Sequence, residues 1–415
     1  MVSSLVFVGF LALTFVGVGF GIGQSMPYDS GVASQKKSER KSTTHVAFGS
    51  CNSARMHQWA WAKVNEIDVD AWVWLGDTVY GDLQDATFSL FGAQWETATP
   101  DFLRMLYGMQ RKIPGYAQLI DSGVPIFGTW DDHDFGEDNA DMTYAYRADS
   151  QKEFLDFLDE PIDSPRRSQE GVYATHTIDN GRIRLILLDV RYHRTPYGDG
   201  PEGDFLGEKQ WMWLEKTLRD SQAEVNLIGG GIQFLASRTI LGIPITESWA
   251  RFPAARKRLL ETILNSGAEA PVLLSGDVHL AEISEAVCKP KGLLLNHTLP
   301  ETKIVEVTSS GLTHSLGTDP WIVRKLFDGV LSLHQRNLAY QAEPLYSGMN
   351  FAELEFSLEG EDNLMSVNIH GQDSLIAMSR SYNLVDLTAA SSRFTPRPGL
   401  EWECKGINEE WSLEL

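Results

Sequence analysis

Four short apolar runs along the chain each end next to side chains that can bind a metal ion. Such runs are typical of strands that are buried on both faces, as in parallel sheets covered by helices. In open α/β sheets, ligands bind in the crevice beyond the carboxyl ends of the strands. The pattern therefore predicts an α/β fold with a metal site at one sheet edge. The residues at or just beyond the run ends are Cys51, Asp77, Tyr80, Asp131, Asp132, His133, Asp277 and His279.

Segments of helical period alternate with these apolar runs. Apolar side chains recur on one face over the ranges 57–67, 101–111, 147–158, 208–218 and 251–264, where we expect helices. Strand-like pairs with period two follow near the end of the chain. The expected fold class is therefore an α/β sandwich with mixed β-sheets.

The chain divides into four predicted segments. Residues 1–23 are almost wholly apolar and are interpreted as a cleaved signal peptide or, alternatively, an uncleaved signal anchor. A polar linker over 24–43 is followed by a main domain over 44–376 and a C-terminal extension over 377–415. Both interpretations send the chain into the secretory pathway. It would be secreted, extracellular or periplasm-like, or else anchored in a membrane by its N-terminal segment.

The three cysteines are not expected to share one role. An odd number in an exported chain leaves one thiol without a disulfide partner. If Cys51 binds metal, Cys288 and Cys404 are free to pair, and two separate buried thiols are the alternative. Asn296 begins the one glycosylation sequon, which a eukaryotic secretory route could use.

Ligand chemistry restricts the metals that such a site would hold. Cys51 as thiolate and Tyr80 as phenolate favour a strongly Lewis-acidic, redox-capable ion such as Fe³⁺, although Zn²⁺ also accepts a thiolate. His279 lies two residues beyond Asp277, on the same side of an extended segment, and could complete the shell of that ion. Asp77 and Asp277 offer oxygens that can bridge two metals.

The remaining candidates favour chemistry on a phosphate ester. Asp131 and Asp132 suit a harder second ion such as Ca²⁺, Mg²⁺ or Mn²⁺, and His133 is a candidate to protonate a leaving group. Two metals ~3.5–4 Å apart would clamp a phosphate, activate water and stabilise an in-line transition state. The residues therefore predict metal-assisted hydrolysis of a phosphoester.

The acidic composition restricts the classes of molecule that the chain is expected to bind. With 35 basic and 56 acidic residues, the formal net charge is −21, which argues against a nucleic-acid binding surface and against anionic membrane surfaces. An anionic substrate then needs local positive charge, which bound metals would supply. We expect a small-molecule or lipid phosphoester as substrate, and membrane contact only through the N-terminal segment if it is uncleaved.

Four further polar residues have two open interpretations each. Arg191 could hold a phosphate oxygen, or it could form a structural ion pair with a neighbour such as Asp189. Asn139 could bind or orient a ligand, or it could cap a loop. Gln233 could face the site or pack behind it, and His314 could contact substrate or lie in the core.

The motifs, in this order, resemble those of a known family. Over residues 44–375 the chain resembles the PhoD-like alkaline phosphatase D branch of the calcineurin-like metallophosphoesterase superfamily. The resemblance implies a four-layer α/β/β/α sandwich and a site that holds iron with calcium. The matching stretches are Phe48–Cys51, Leu75–Tyr80, Thr129–Asp134, Leu187–Tyr192, Gly207–Leu214, Gly231–Phe234 and Ser275–His279.

The same resemblance implies which residues bind the metals. The wider superfamily has an Asn ligand followed by a catalytic His, and here Asp132 stands in the place of that Asn while His133 keeps its place. Whether Asp131 or Asp132 contacts metal stays open. The other implied ligands are Cys51, Asp77, Tyr80, Asp277 and His279.

Three functions are compatible with these residues. The leading one is a phosphomonoesterase similar to alkaline phosphatase D, and a phosphodiesterase or phospholipase D-like hydrolase would use the same metal clamp. The alternative from another class is a non-catalytic cell-surface metal-binding module.

Overall fold

The computed structural model describes residues 43–83, 95–237, 239–240, 243–244, 246–291, 301–316, 345–360, 363–388 and 400–405. The predicted leader, the predicted linker up to residue 42 and the sequon at Asn296 lie outside these described residues. Among the residues described, no helix combines the length and the apolar character needed to cross a bilayer.

The first sheet has six strands in a mixed arrangement. In spatial order they are β14 (Ser374–Asn383), β13 (Leu364–Gly371), β12 (Asn350–Ser357), β1 (Thr44–Gly49), β2 (Ala71–Leu75) and β3 (Ile126–Thr129). Strands β1, β2 and β3 run parallel to one another. The pairs β1–β12, β12–β13 and β13–β14 are antiparallel.

The second sheet has seven strands and is also mixed. In spatial order they are β15 (Trp402–Lys405), β10 (Ala281–Pro290), β11 (Thr302–Ser309), β9 (Pro271–Ser275), β6 (Val225–Gly229), β5 (Ile183–Leu187) and β4 (Ala174–Ile178). Strands β11, β9, β6 and β5 run parallel, and the outer pairs are antiparallel. A separate two-stranded ribbon is formed by β7 (Thr239–Ile240) and β8 (Ile243–Pro244).

Helices cover the outer face of each sheet, so the chain forms four layers. Helices α1, α2, α3 and α5 pack on the first sheet, α6 and α7 pack on the second, and a separate apolar core fills the space between the sheets. This α/β/β/α sandwich with mixed sheets confirms the expected fold class. The helices are α1 (Ala60–Ile67), α2 (Pro100–Gln110), α3 (Pro114–Asp121), α4 (Asp132–Phe135), α5 (Arg147–Phe157), α6 (Gly207–Arg219), α7 (Pro253–Ser266) and α8 (Leu384–Leu387).

Strand β2 shows how the sequence produces these layers. Successive side chains of a strand point to opposite faces. Trp72 and Trp74 therefore pack under the helices, while Val73 and Leu75 enter the core between the sheets. Trp61 of α1 lies 4.9 Å from Trp72, measured between ring centroids. Burial on both faces holds the end of this strand, and the loop that follows it, in a defined place.

The predicted C-terminal extension contributes to both sheets. Strand β14 crosses the predicted boundary at residue 376, and β15 forms an edge of the second sheet beside β10. A disulfide joins Cys288 on β10 to Cys404 on β15, so the two cysteines expected to be free for pairing are bonded. The extension is therefore an integral part of the sandwich where the structure describes it.

A buried carboxylate on the outer face of β12 accepts hydrogen bonds from two imidazoles. Glu353 lies 2.7 Å from His45 Nδ1 and 2.7 Å from His370 Nε2. Burial would raise the pKa of Glu353, but the hydrogen bonds from His370 and His45 lower it from 4.5 to about 2. The hydrogen bond between His45 and Glu353 raises the pKa of His45 above 6.5, although burial opposes that rise.

These shifts predict a pH window for the stabilisation by Glu353. The contribution of Glu353 is lost as pH falls from 4.5 towards 2, and that of His45 is lost as pH rises through its raised pKa above 6.5. Glu353→Gln should therefore lower the free energy of unfolding most between about pH 5 and 6.5, by roughly 1–2 kcal/mol. Urea denaturation at several pH values measures this. Glu269→Gln, at an exposed carboxylate, is the control, and a pH-independent loss would contradict the prediction.

Candidate metal centre

The candidate ligands from both sheets meet at one edge of the sandwich. Strands β1, β2 and β3 of the first sheet and β9 of the second end there, and the loops after them carry the side chains expected to bind metal. Three overlapping groups each bring ligand atoms within 4.8 Å of one another. These groups are Cys51 with Asp77 and His279, Asp77 with Asp132 and His133, and Asp131 with Asp132 and Asp277.

Four of these positions have a left-handed backbone. The φ angles are 57° at Cys51, 48° at Asp77, 72° at Asp277 and 55° at His279. Residues other than glycine adopt such angles rarely, and these strained positions cluster at functional sites. A glycine would relieve the strain but would remove the side chain. The backbone is thus strained at four positions that carry candidate metal ligands.

Two glycines allow the loops of the second sheet to touch those of the first. A Cβ atom on Gly276 would lie closer than 3.0 Å to Ser50 and to the carbonyl oxygen of Leu75. A Cβ atom on Gly231 would lie closer than 3.0 Å to the side chain of Asp131. This close approach brings Asp277 against the carboxylates of the first sheet.

Cys51 and Tyr80 approach the same carboxylate oxygen of Asp77. The distances to Asp77 Oδ2 are 3.4 Å from Cys51 Sγ and 3.3 Å from the Tyr80 hydroxyl. His279 Nε2 lies 3.3 Å from that hydroxyl. A thiol, a phenol, an imidazole and a carboxylate therefore converge, and this is the donor set expected for Fe³⁺, with Zn²⁺ as the alternative.

Burial controls the protonation of this group. It raises the pKa of the Cys51 thiol to about 12 and the pKa of Asp77 well above its ordinary value. It lowers the pKa of His279 to about 4, so that its imidazole is neutral and able to bind a metal. A cation would favour the thiolate and the carboxylate, so metal binding here would release protons.

Ser310, which the sequence reasoning missed, connects two of the candidate ligands. Its hydroxyl lies 2.9 Å from Cys51 Sγ and accepts a hydrogen bond of 2.7 Å from the backbone N–H of His279. His314 Nε2 lies 2.8 Å from the Tyr80 hydroxyl and is buried. His314 therefore supports Tyr80 from behind. Both residues follow β11, so the end of this strand in the sequence was a signal that could have indicated further site residues.

Three carboxylate oxygens in the site are buried without a hydrogen-bond partner among the described residues. They are Asp77 Oδ1, Asp131 Oδ2 and Asp132 Oδ1. Burying an ionised carboxylate is costly unless a counter-charge compensates it. A cation between these oxygens would supply that charge, and oxygen donors suit Ca²⁺, Mg²⁺ or Mn²⁺. The side chains present therefore fit a bound metal.

Arg191 lies behind the carboxylates and is fully buried. Its Nε donates to Asp131 Oδ1 at 2.5 Å, and its Nη2 lies 2.5 Å from Glu247 Oε2 and 3.6 Å from Asp132 Oδ1. The hydrogen bond from Arg191 to Asp189 comes from the backbone N–H of Arg191. Arg191 thus holds the two aspartates in place. Glu247, its second partner, was missed in the sequence, although it lies two residues beyond the apolar stretch over residues 240–245.

His133 is held by a carboxylate that the sequence reasoning also missed. Its Nδ1 lies 2.9 Å from Asp82 Oδ1, which leaves Nε2 as the nitrogen available for chemistry. Its ring centroid lies 4.2 Å from that of Tyr80. Burial would lower the pKa of His133, but Asp132, Asp82 and Asp77 together raise it well above its ordinary value. The imidazole is therefore disposed to carry a proton.

Two further polar side chains lie around the site, and Gln233 is the one considered from the sequence. Asp134 accepts from the backbone N–H groups of Thr78 and Val79, so it holds the loop that carries Asp77. Gln233 Nε2 donates to Glu282 and Thr308 behind the site.

Asn139 contributes its backbone to the site. Its N–H donates to Asp132 Oδ2 at 2.7 Å, while its side chain is exposed. This hydrogen bond orients Asp132, and the ligand and loop-cap interpretations of the Asn139 side chain stay predictions. Each of Asp131 and Asp132 keeps one oxygen for a metal, so both stay candidates.

Comparisons with known proteins agree on one family. The chain is 26% identical over 184 residues to alkaline phosphatase D of Bacillus subtilis (strain 168), and this match covers 38% of the chain but only 31% of that relative. A solved structure described as the structure of PhoD has a TM-score of 0.64 at 20% identity, covering 84% of this chain and 70% of that one, which shows the shared fold. The model of the PhoD-like phosphatase family matches residues 46–320. The chain therefore belongs to the PhoD-like phosphatase family.

Proposed function

We propose that the protein is a metal-dependent phosphoester hydrolase. The observation that carries this proposal is the set of buried aspartate oxygens without hydrogen-bond partners, lying beside a thiol, a phenol and two imidazoles at the strand ends. Family membership supports the reaction class. The match to the bacterial relative spans about a third of that protein, so substrate and activity are proposed here on the site itself.

The donor types divide between two kinds of metal. Cys51, Tyr80, Asp77 and His279 would hold Fe³⁺, with Zn²⁺ as the alternative. Oxygens of Asp77, Asp277 and the pair Asp131 and Asp132 would hold Ca²⁺, with Mg²⁺ or Mn²⁺ as alternatives. When bound, such ions supply Lewis acidity, an activated water and positive charge for the phosphate. The list of proposed ligands is Cys51, Asp77, Tyr80, Asp131, Asp132, Asp277 and His279.

The side chains around the metals would protonate the leaving group and hold the metal ligands in position. His133 would donate a proton from Nε2 to the leaving oxygen, because Asp82 occupies Nδ1 and fixes the ring. Arg191 would keep the carboxylates of Asp131 and Asp132 in place through its bond to Asp131 and its contact with Asp132. Arg191 is thus proposed to position ligands, in place of the phosphate contact considered from the sequence.

The test combines metal analysis with a panel of phosphoesters. We expect purified protein to contain iron and calcium and to release phosphate from monoesters when both metals are supplied. A bis-ester in the same panel separates phosphomonoesterase from phosphodiesterase activity. Asp77→Asn, purified in parallel, should lose activity by roughly 10³-fold and so measures contaminating phosphatases.

The same panel of phosphoesters also tests the alternative functions and metals. Metal binding without hydrolysis of any ester would support the non-catalytic binding module and contradict the proposed activity. Full activity with zinc and no iron would exclude the Fe³⁺ assignment. Export by the secretory pathway is a separate proposal, which N-terminal sequencing of the exported protein would test.

A further inference from the structure

Trp95 lies on the outer side of the proposed proton donor. Its indole stacks on the imidazole of His133, with ring centroids 4.9 Å apart and planes inclined by 14°. Its backbone forms a bridge with Leu83, and the next N–H, that of Glu96, donates to the Asp82 carbonyl oxygen at 2.8 Å. These backbone contacts therefore hold Trp95 beside the residues that provide Asp82 to His133.

His133 is thus enclosed by two aromatic rings and one carboxylate. The imidazole is stacked on the indole of Trp95, at 14°, and is tilted by 32° to the ring of Tyr80. Asp82 occupies Nδ1. The remaining nitrogen, Nε2, is at the ring edge. A leaving oxygen that receives its proton there carries its organic group past the edge of the indole.

The exposure of Trp95 distinguishes it from the tryptophans of the core. Its side chain is 37% exposed, whereas Trp61, Trp72, Trp74, Trp130, Trp211 and Trp249 are fully buried. Asp82 and Tyr80 already hold His133, so the exposed part of the indole is not required to fix the imidazole. Aromatic surfaces of this kind bind planar and apolar groups, and an aromatic pair adds ~0.5–1.5 kcal/mol beyond the area buried.

We infer that Trp95 forms the leaving-group wall of the site and favours phosphoesters of aromatic or apolar alcohols over those of small polar alcohols. This inference rests on the proposed function, because it assigns the alcohol side of the same reaction. It makes Trp95 a specificity-determining residue, which contacts the part of the substrate that departs.

The test compares two monoesters with similar alkoxide leaving groups, benzyl phosphate and ethyl phosphate. Trp95→Ala should lower kcat/KM for benzyl phosphate by about 3- to 10-fold and change ethyl phosphate by less than about 2-fold. Trp95→Phe should retain most of the preference. Met212→Ala removes an apolar side chain that is 56% exposed on α6 and is the control. Equal losses for both esters, or no loss, would overturn the inference.

A binding measurement separates this inference from the proposed function. Benzylphosphonate and ethylphosphonate cannot be hydrolysed, and calorimetry of the metal-loaded protein gives their affinities. We expect Trp95→Ala to weaken benzylphosphonate by about 3- to 10-fold and to leave ethylphosphonate unchanged. If wild-type protein hydrolyses neither these monoesters nor the bis-ester, the proposed function fails. The affinities for the two phosphonates still test whether Trp95 contacts the leaving group. If Trp95→Ala leaves the affinities for both phosphonates unchanged, the inference about Trp95 is overturned.

Discussion

Replacement of Cys51 by alanine is expected to remove iron from the protein and to reduce phosphoester hydrolysis by roughly 10³-fold, which is about 4 kcal/mol on the barrier. The thiol is fully buried, 3.4 Å from Asp77 Oδ2 and 2.9 Å from Ser310 Oγ, and the other two cysteines of the chain are bonded to each other. Elemental analysis and steady-state kinetics measure both effects. Visible absorption from iron bound to thiolate or phenolate should decrease in parallel.

The control for this variant removes sulfur elsewhere in the chain. The double variant Cys288→Ser with Cys404→Ser eliminates the disulfide between β10 and β15, away from the site. It should unfold at lower denaturant concentration while it keeps its iron and its kcat. A Cys51→Ala protein that retains iron and activity would contradict the thiolate assignment. Loss of iron with full activity would make the iron structural.

Replacement of His133 by asparagine is expected to slow the hydrolysis of alkyl phosphates by about 10²–10⁴-fold, the usual range for loss of a general acid. Hydrolysis of 4-nitrophenyl phosphate should suffer less, because its leaving oxygen needs little protonation. The ratio of the two losses therefore measures the role of His133. Asp82→Asn should act in the same direction with a smaller loss, since it misplaces the imidazole and does not remove it.

Metal content separates the two roles open to His133. Its ring lies with Asp77 and Asp132 in one group of close ligand atoms. A proton donor can be removed with the metals still bound, so we expect the His133→Asn protein to keep its full metal content. Loss of metal together with equal losses for both esters would instead identify His133 as a ligand.

The positions of the candidate ligands were predictable because strand ends combine two local signals. The apolar runs of β1, β2 and β9 mark buried strands, whereas β3 lies at a sheet edge and is only partly buried at Ile126 and Phe127. Candidate ligands stand just beyond the ends of all four strands, namely Cys51, Asp77, Asp132 and Asp277. Parallel strands place their carboxyl ends at a common edge. The α/β sandwich with mixed sheets followed from the alternation of strand and helix patterns, whereas its four layers were implied by the family resemblance. The ends of helices were less predictable, since α1 begins at Ala60 and not at residue 57.

The residues that support the ligands were not predictable in the same way. Asp82, Glu247 and Ser310 stand in loops, and their roles come from contacts across long stretches of chain. Ser310 and Cys51, which lie 2.9 Å apart, are 259 residues apart in sequence. Arg191 shows the same limit, because its partner Asp131 is 60 residues away and not its near neighbour Asp189. Such pairings depend on how the two sheets dock, which local patterns do not specify.

The division of the candidate ligands between two sheets predicts that a metal centre would form late in folding. One sheet supplies Cys51, Asp77 and Asp132, and the loop after β9 in the other supplies Asp277 and His279. A chain in which the sheets have formed but not docked offers only part of this set, and distant contacts of this kind form slowly. Bound ions would then hold the two sheets together. Metal uptake during refolding should therefore track closure of the sandwich and not the appearance of secondary structure.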